Sequence, residues 1–259
     1  SLIMSSSYFV FNLFEGVIVR IMNNVYQLYV LLLLFLACSL LGKADEKDGF
    51  VQIFNGKTLK GWRSAPETTY QPWSVKNGVI RGEGQEDRLI YLVYSDDESL
   101  KDFELKFQYK MVTKGNTGVE IRTRPDKTNK RPFEGYHADI GHVGIGAGVL
   151  GAWDFHFGSG TRREFPCPRG TRLVIDSAGE GKAEKIKNAV TIEDIKRHDW
   201  NQCRIVAKGN FFQLWINNKL ASEFTDNIRK GQLEKGFIGL QLHDKGMVVE
   251  FKDIYLKTL

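Results

Sequence analysis

Cysteine is scarce in this chain. Of its three cysteines, Cys38 lies in an N-terminal apolar run, and only Cys167 and Cys203 remain beyond it. No CxxC occurs, which excludes a zinc ribbon and a thioredoxin-like redox pair. Cys167 and Cys203 either pair, as export permits, or stand as two separate buried thiols. Charge of one sign is also lacking. The net charge is +5, scattered along the sequence, and no Lys/Arg stripe interleaves with aromatics. Nucleic acid is therefore not an expected partner. There is no P-loop, dinucleotide-binding glycine motif, GxSxG or HExxH. Internal repeats and low-complexity segments are absent, and no single strand carries the ExDxE-type acid run of a two-carboxylate glycosidase.

Long apolar runs are missing as well. Residues 28–41 (LYVLLLLFLACSLL) fall short of the roughly 20 residues of a membrane span and match the core of a signal peptide. Gly42 and Ala44 supply the small residues of a cleavage site. The expectation is an export segment over 1–44 and a single domain over 45–259, secreted or periplasmic, with no stable membrane span once the segment is removed. Met22 is an alternative start. A lipid anchor at Cys38 or a retained signal anchor would instead hold the domain at the membrane.

Strand signals fill the remainder. Residues 73–84 (WSVKNGVIRGEG) place Asn77-Gly78 between two alternating runs, a hairpin signal. Residues 103–112 alternate strictly, with Phe103, Leu105, Phe107, Tyr109 and Met111 on one side and Glu104, Lys106, Gln108 and Lys110 on the other. That pattern predicts a half-buried antiparallel strand. Further strands are expected over 50–54, 89–95, 118–124, 135–141, 149–157 and 171–176, with three over 203–224 and two more closing the chain. The one helix candidate is 191–199 (TIEDIKRHD), with Thr191 and Asp194 in capping-box positions. Short strands, frequent turns and one brief helix predict an all-β, two-sheet antiparallel sandwich.

Four i, i+2 polar pairs stand out: Glu120/Arg122, His137/Asp139, Asp154/His156 and Gln241/His243. In a strand, residues two apart share a face. One sheet face could then gather imidazoles, carboxylates and a guanidinium, with Val119, Ile121, Ala138, Ile140, Phe155, Leu240 and Leu242 turned to the core. Any half-solvated sheet alternates, but an ordinary wet face is richer in Lys, Ser and Thr. His142 lies just beyond the second pair, and His198, beside Lys196 and Arg197, reads as solvated.

The segments IFNGKTLKGW (53–62), WSVKNGVIRGEG (73–84), DFELKFQY (102–109), GNTGVEIR (115–122), GYHADIG (135–141), WNQCRIVAKGNFFQLWINN (200–218) and GFIGLQLH (236–243) occur in an order that resembles the 3-keto-disaccharide hydrolase family. The resemblance spans nearly all of residues 49–259. It implies a concanavalin-like jelly roll and substrates that are glycosides oxidised to a ketone at carbon 3. The chain departs from the family pattern at His137 and over 149–190.

Such a ketone acidifies the C2 hydrogen. A base removes that proton, and the C1 substituent leaves by elimination or net hydrolysis. On this expectation His243 or His137 is the base or a metal ligand, and Glu120 and Asp139 are ligands or orienting carboxylates. Arg122 stabilises developing negative charge. Tyr136, Trp153 and Gln241 border the substrate. A divalent metal ion held by His137, Asp139 and His243 is the one cofactor expected, acting as a Lewis acid. The expected partner is a carbohydrate. A non-catalytic, lectin-like carbohydrate-binding module is the alternative, and a shell of this family without activity a third.

Overall fold

The alternating strands assemble into two packed sheets. The computed structural model describes residues 27, 48–94, 99–143, 149–158, 162, 164 and 166–259. The export segment expected over 1–44 lies outside the described residues, apart from Gln27. Among the described residues no helix is long and apolar enough to cross a membrane. Phe50–Leu259 form one compact unit.

The strands are β1 (Val51–Gln52), β2 (Trp62–Ala65), β3 (Trp73–Lys76), β4 (Val79–Glu83), β5 (Ile90–Tyr94), β6 (Phe103–Met111), β7 (Gly115–Pro125) and β8 (Phe133–Val143). They continue as β9 (Trp153–His156), β10 (Thr171–Ile175), β11 (Gly181–Lys185), β12 (Asn201–Lys208), β13 (Phe211–Ile216), β14 (Lys219–Asp226), β15 (Phe237–Leu242) and β16 (Val248–Thr258). One sheet runs β11-β10-β14-β13-β12-β6-β16-β4-β3, with β1 also on β16, and the other runs β2-β5-β15-β7-β8-β9. Pairing is antiparallel except between β10 and β14. The result is the two-sheet, all-β sandwich that the sequence predicts.

Local chemistry explains the elements. Asn77 and Gly78 both adopt positive φ (52° and 77°), and the turn they make joins β3 to β4. Strand β6 alternates buried and half-buried residues from end to end, with its five apolar side chains inward. The helix expected over 191–199 contracts to a single 3-10 turn at Ile192–Asp194. Its capping contact does form, since the Thr191 N–H donates to Asp194 Oδ2 at 2.9 Å. Beyond it the Asn201 side chain takes up the Lys196 N–H and C=O at 2.9 and 2.8 Å, and His198 turns to positive φ, so no second helical turn follows. Strands β2 and β11 carry no alternation that announces them, and β11 is exposed along its whole length.

Between the sheets lies a core rich in aromatics. Phe212 and Phe224 stack at 4.4 Å, and Tyr136 packs within 5.3 Å of Phe155, Phe212 and Phe224. Its hydroxyl donates to buried Asp226 at 2.6 Å. Trp153 is fully buried against Phe224. Tyr136 and Trp153, expected beside the substrate, are thus core residues: strict alternation turns them to the face opposite His137 and Asp154. Cys167 and Cys203 are separate buried thiols. Burial pushes the Cys167 thiol up to about 12 and the Cys203 thiol well above its ordinary value.

Arg122 also departs from expectation. The β7–β8 register shifts between Ile121 and Arg124, and Arg122 sits at φ 48°. This bulge turns its side chain away from the face that Glu120 occupies. The guanidinium, 1 % exposed, donates to the carbonyls of Lys101 (2.9 Å), Gly209 (2.7 Å) and Leu233 (3.2 Å), and to Asp102 Oδ1 at 3.1 Å. It also lies 4.7 Å from the Phe212 ring centroid. One planar fork therefore ties three loops together. Arg122→Ala would strand those carbonyls and is expected to cost about 3 kcal/mol. Arg122→Lys should recover little, because one ammonium cannot reproduce the fork. Urea unfolding midpoints measure both.

Candidate active site

The outer face of the six-stranded sheet carries the polar residues. Cross-strand register places Gly239, Glu120, His137 and Asp154 in one row over β15, β7, β8 and β9. Asp139 stands opposite Gly118, and His156 opposite Gly135. Bulky polar groups therefore alternate with glycines. A Cβ on Gly118 would lie 2.1 Å from His137 Nε2, and one on Gly135 would lie 2.6 Å from Glu120 Oε2. These glycines make room for the side chains above them.

Glu120 is the hub. Its Oε1 accepts a hydrogen bond from His156 Nδ1 and lies 3.5 Å from His137 Nδ1, a contact too loose to count as a full hydrogen bond. The two imidazoles stack with centroids 4.5 Å apart and planes 18° from parallel. Each turns its Nε2 toward an aspartate: His156 to Asp154 Oδ2 at 3.0 Å, His137 to Asp139 Oδ2 at 3.9 Å. Glu120, His137, Asp139, Asp154 and His156 are all buried. Among the described residues, Glu120 Oε2 and His137 Nδ1 make no hydrogen bond of full geometry.

Electrostatics follow from this packing. Burial alone would raise the Glu120 carboxyl, but the His156 charge and the two imidazole contacts outweigh it and hold the group down at about 2. Burial works to lower His156. The Glu120 charge and the Asp154 bond overcome that and raise it to about 10, so His156 sits as an imidazolium between two carboxylates.

The other expected site residues fall outside this cluster. Gln241 is on the same face, buried, with its Nε2 donating to the Tyr91 hydroxyl at 3.2 Å. Burial, then the Glu120 charge, holds that phenol well above its usual value. His243 stands past the end of β15, its side chain 45 % exposed, with Nδ1 on Asp244 at 2.8 Å. In register it lies four residues from the Glu120 row, roughly 13 Å along the strand. It cannot join a ligand set with His137. The set that converges is Glu120, His137 and His156, whose candidate ligand atoms all lie within 4.8 Å of one another. His156 was visible as one member of an i, i+2 pair. What placed it here is the β8–β9 register, which one sequence does not reveal.

Sandwich and site together define a jelly-roll domain with a buried histidine–carboxylate centre on one outer sheet face. By sequence, the chain belongs to the 3-keto-alpha-glucoside-1,2-lyase-like domain family, whose model matches residues 49–257. A 3-keto-disaccharide hydrolase from Bacteroides thetaiotaomicron is 31% identical over 81 residues, a stretch that spans 29% of this chain and 27% of that protein. A crystal structure of a glycosyl hydrolase candidate from Parabacteroides distasonis is similar in fold, with TM-score 0.54 and 21% identity over 83% of this chain and 96% of that one.

Gly118→Ala and Gly135→Ala test the seating of the centre. Each should cost about 1–3 kcal/mol by overpacking, seen as a lowered Tm. In imidazole NMR spectra, Gly118→Ala should displace the His137 signals more than those of His156.

Proposed function

We propose that this protein cleaves 3-keto-glycosides, with Glu120, His137 and His156 at the reacting centre. One observation carries the reading. In a chain of this family, two imidazoles turn the same nitrogen toward one buried carboxylate, and each faces an aspartate with the other nitrogen.

The reaction needs a base at C2, positive charge near the enediolate oxygens and a proton for the leaving group. His137 Nδ1, held only loosely by Glu120 Oε1 at 3.5 Å, takes the C2 proton. Asp139 Oδ2 faces the ring from its Nε2 side at 3.9 Å and helps to orient it. His156, cationic between Glu120 and Asp154, supplies positive charge where the enediolate develops. The C2–H electron pair moves into the enediolate and then expels the C1 oxygen, which receives the proton that His137 took from C2. Addition of water at C1 completes hydrolysis. The apolar run at 28–41 supports an exported site of action.

The donor set favours a second reading of the same centre. Two imidazoles and a carboxylate, braced from behind by aspartates, fit a divalent cation. Glu120, His137 and His156 would hold it, and an ion bound there would act as a Lewis acid on the enediolate oxygens. Asp154 and Asp139 would then fix the tautomers, keeping both Nδ1 lone pairs directed inward.

A chromogenic 3-keto-glucoside separates these readings. Release by metal-depleted protein, lost about 10²–10⁴-fold in His137→Ala, supports the imidazole base. Release restored only by Zn²⁺ or Mn²⁺, with a Tm rise of several degrees on adding the ion that Glu120→Gln abolishes, supports the metal centre. No release under either condition, with saccharide binding intact, leaves a binding module and removes the enzyme.

A further inference from the structure

The outer face of the other sheet carries a different arrangement. Trp200 immediately precedes β12, and its ring lies beneath two ammonium groups, Lys110 Nζ at 4.8 Å and Lys252 Nζ at 4.3 Å from the centroid. Beside it opens a cleft of about 560 Å³ lined by Lys76, Asn77, Val79, Arg81, Lys110, Trp200 and Glu250. Glu250 holds Lys110 at 2.7 Å and Arg81 at 2.9 Å. Among the described residues, Lys76 and Lys252 have no carboxylate partner. Four residues further along β6, Lys106 lies with Lys257 over a second aromatic ring, 3.7 and 5.7 Å from the centroid of Phe50; that ring is itself buried, so the unit lends the strip its cations only. Strand geometry sets the two aromatic–lysine units roughly 13 Å apart.

We propose that this strip is a carbohydrate site independent of the Glu120 centre, one that takes uronic-acid-containing oligosaccharides. An aromatic ring flanked by cations suits a pyranose that bears a carboxylate: the ring packs against the apolar face and the ammonium groups meet the charge. Lys76 and Lys252 can bind an anion without giving up an existing ion pair. Nucleic acid suits the strip less well. Its phosphates crowd one charge into each ~1.7 Å of duplex, and Glu250, Glu104 and Asp253 interrupt this face, whereas a uronate chain carries its charges more sparsely. The cations come from separate strands, which is why no basic stripe shows in the sequence.

Calorimetric titration of the full chain with trigalacturonate tests the proposal at low salt, with maltotriose and an oligouridylate as comparators. Trigalacturonate should bind at least tenfold more tightly than maltotriose and should weaken as salt rises. Trp200→Ala and Lys252→Glu should each weaken it about tenfold. Lys252→Gln should fall between Lys252→Glu and the parent, with Tm unchanged in both Lys252 variants. No binding, equal binding of maltotriose, or parental affinity in Trp200→Ala and Lys252→Glu would overturn the proposal. Tighter binding of the oligouridylate would overturn it in favour of nucleic acid. Turnover at the Glu120 centre is a separate readout, so loss of either result leaves the other standing.

Discussion

A carboxylate with no exposure holds its charge in this fold because two imidazoles surround it. Left alone, buried Glu120 would be forced to take up a proton or to unfold its surroundings. His156 prevents this by carrying a compensating charge, and Asp154 secures His156 in turn. The arrangement needs three adjacent strands in fixed register and side-chain-free positions at Gly118 and Gly135. Moving β8 by one residue would send His137 into the aromatic core and bring Tyr136 outward. The polar centre and the hydrophobic packing therefore constrain each other: the core fixes the register, and the register assembles the centre.

Much of the fold was legible from sequence because its signals are local. Strand β6 announces itself by strict alternation, and the β3–β4 hairpin by Asn77-Gly78. The polar pairs of β8 and β9 point to a shared face by the same logic. Order between strands is another matter. That β9 lies beside β8 and β15 beside β7 follows from packing across long sequence separations, so the choice of Glu120, His137 and His156 over His243 could not be read in advance. Arg122 failed for a different reason. Its strand reads as regular, and only a non-glycine residue at positive φ reveals the bulge that redirects it. The contraction of 191–199 to one 3-10 turn reflects competition from Asn201, a partner beyond the helix-like segment.

That bulge has two effects. It supplies a cation to the interior, where the Lys101, Gly209 and Leu233 carbonyls would otherwise lack a strong donor. It also leaves the Glu120 face with His156 as the positive group among its clustered acids and imidazoles. A guanidinium there would compete with the imidazoles for Glu120 and alter the charge balance that the stacked rings maintain. Irregular backbone at 121–124 thus separates structural positive charge from the charge at the centre.

Cys167 and Cys203 are both free and buried in the core, and burial pushes each thiol up and keeps it protonated. Among the described residues no disulfide crosslinks the sandwich, so its two sheets are held by packing and hydrogen bonds alone. The packing between the sheets, and not a bond between these two sulfurs, is what holds this part of the polypeptide in shape.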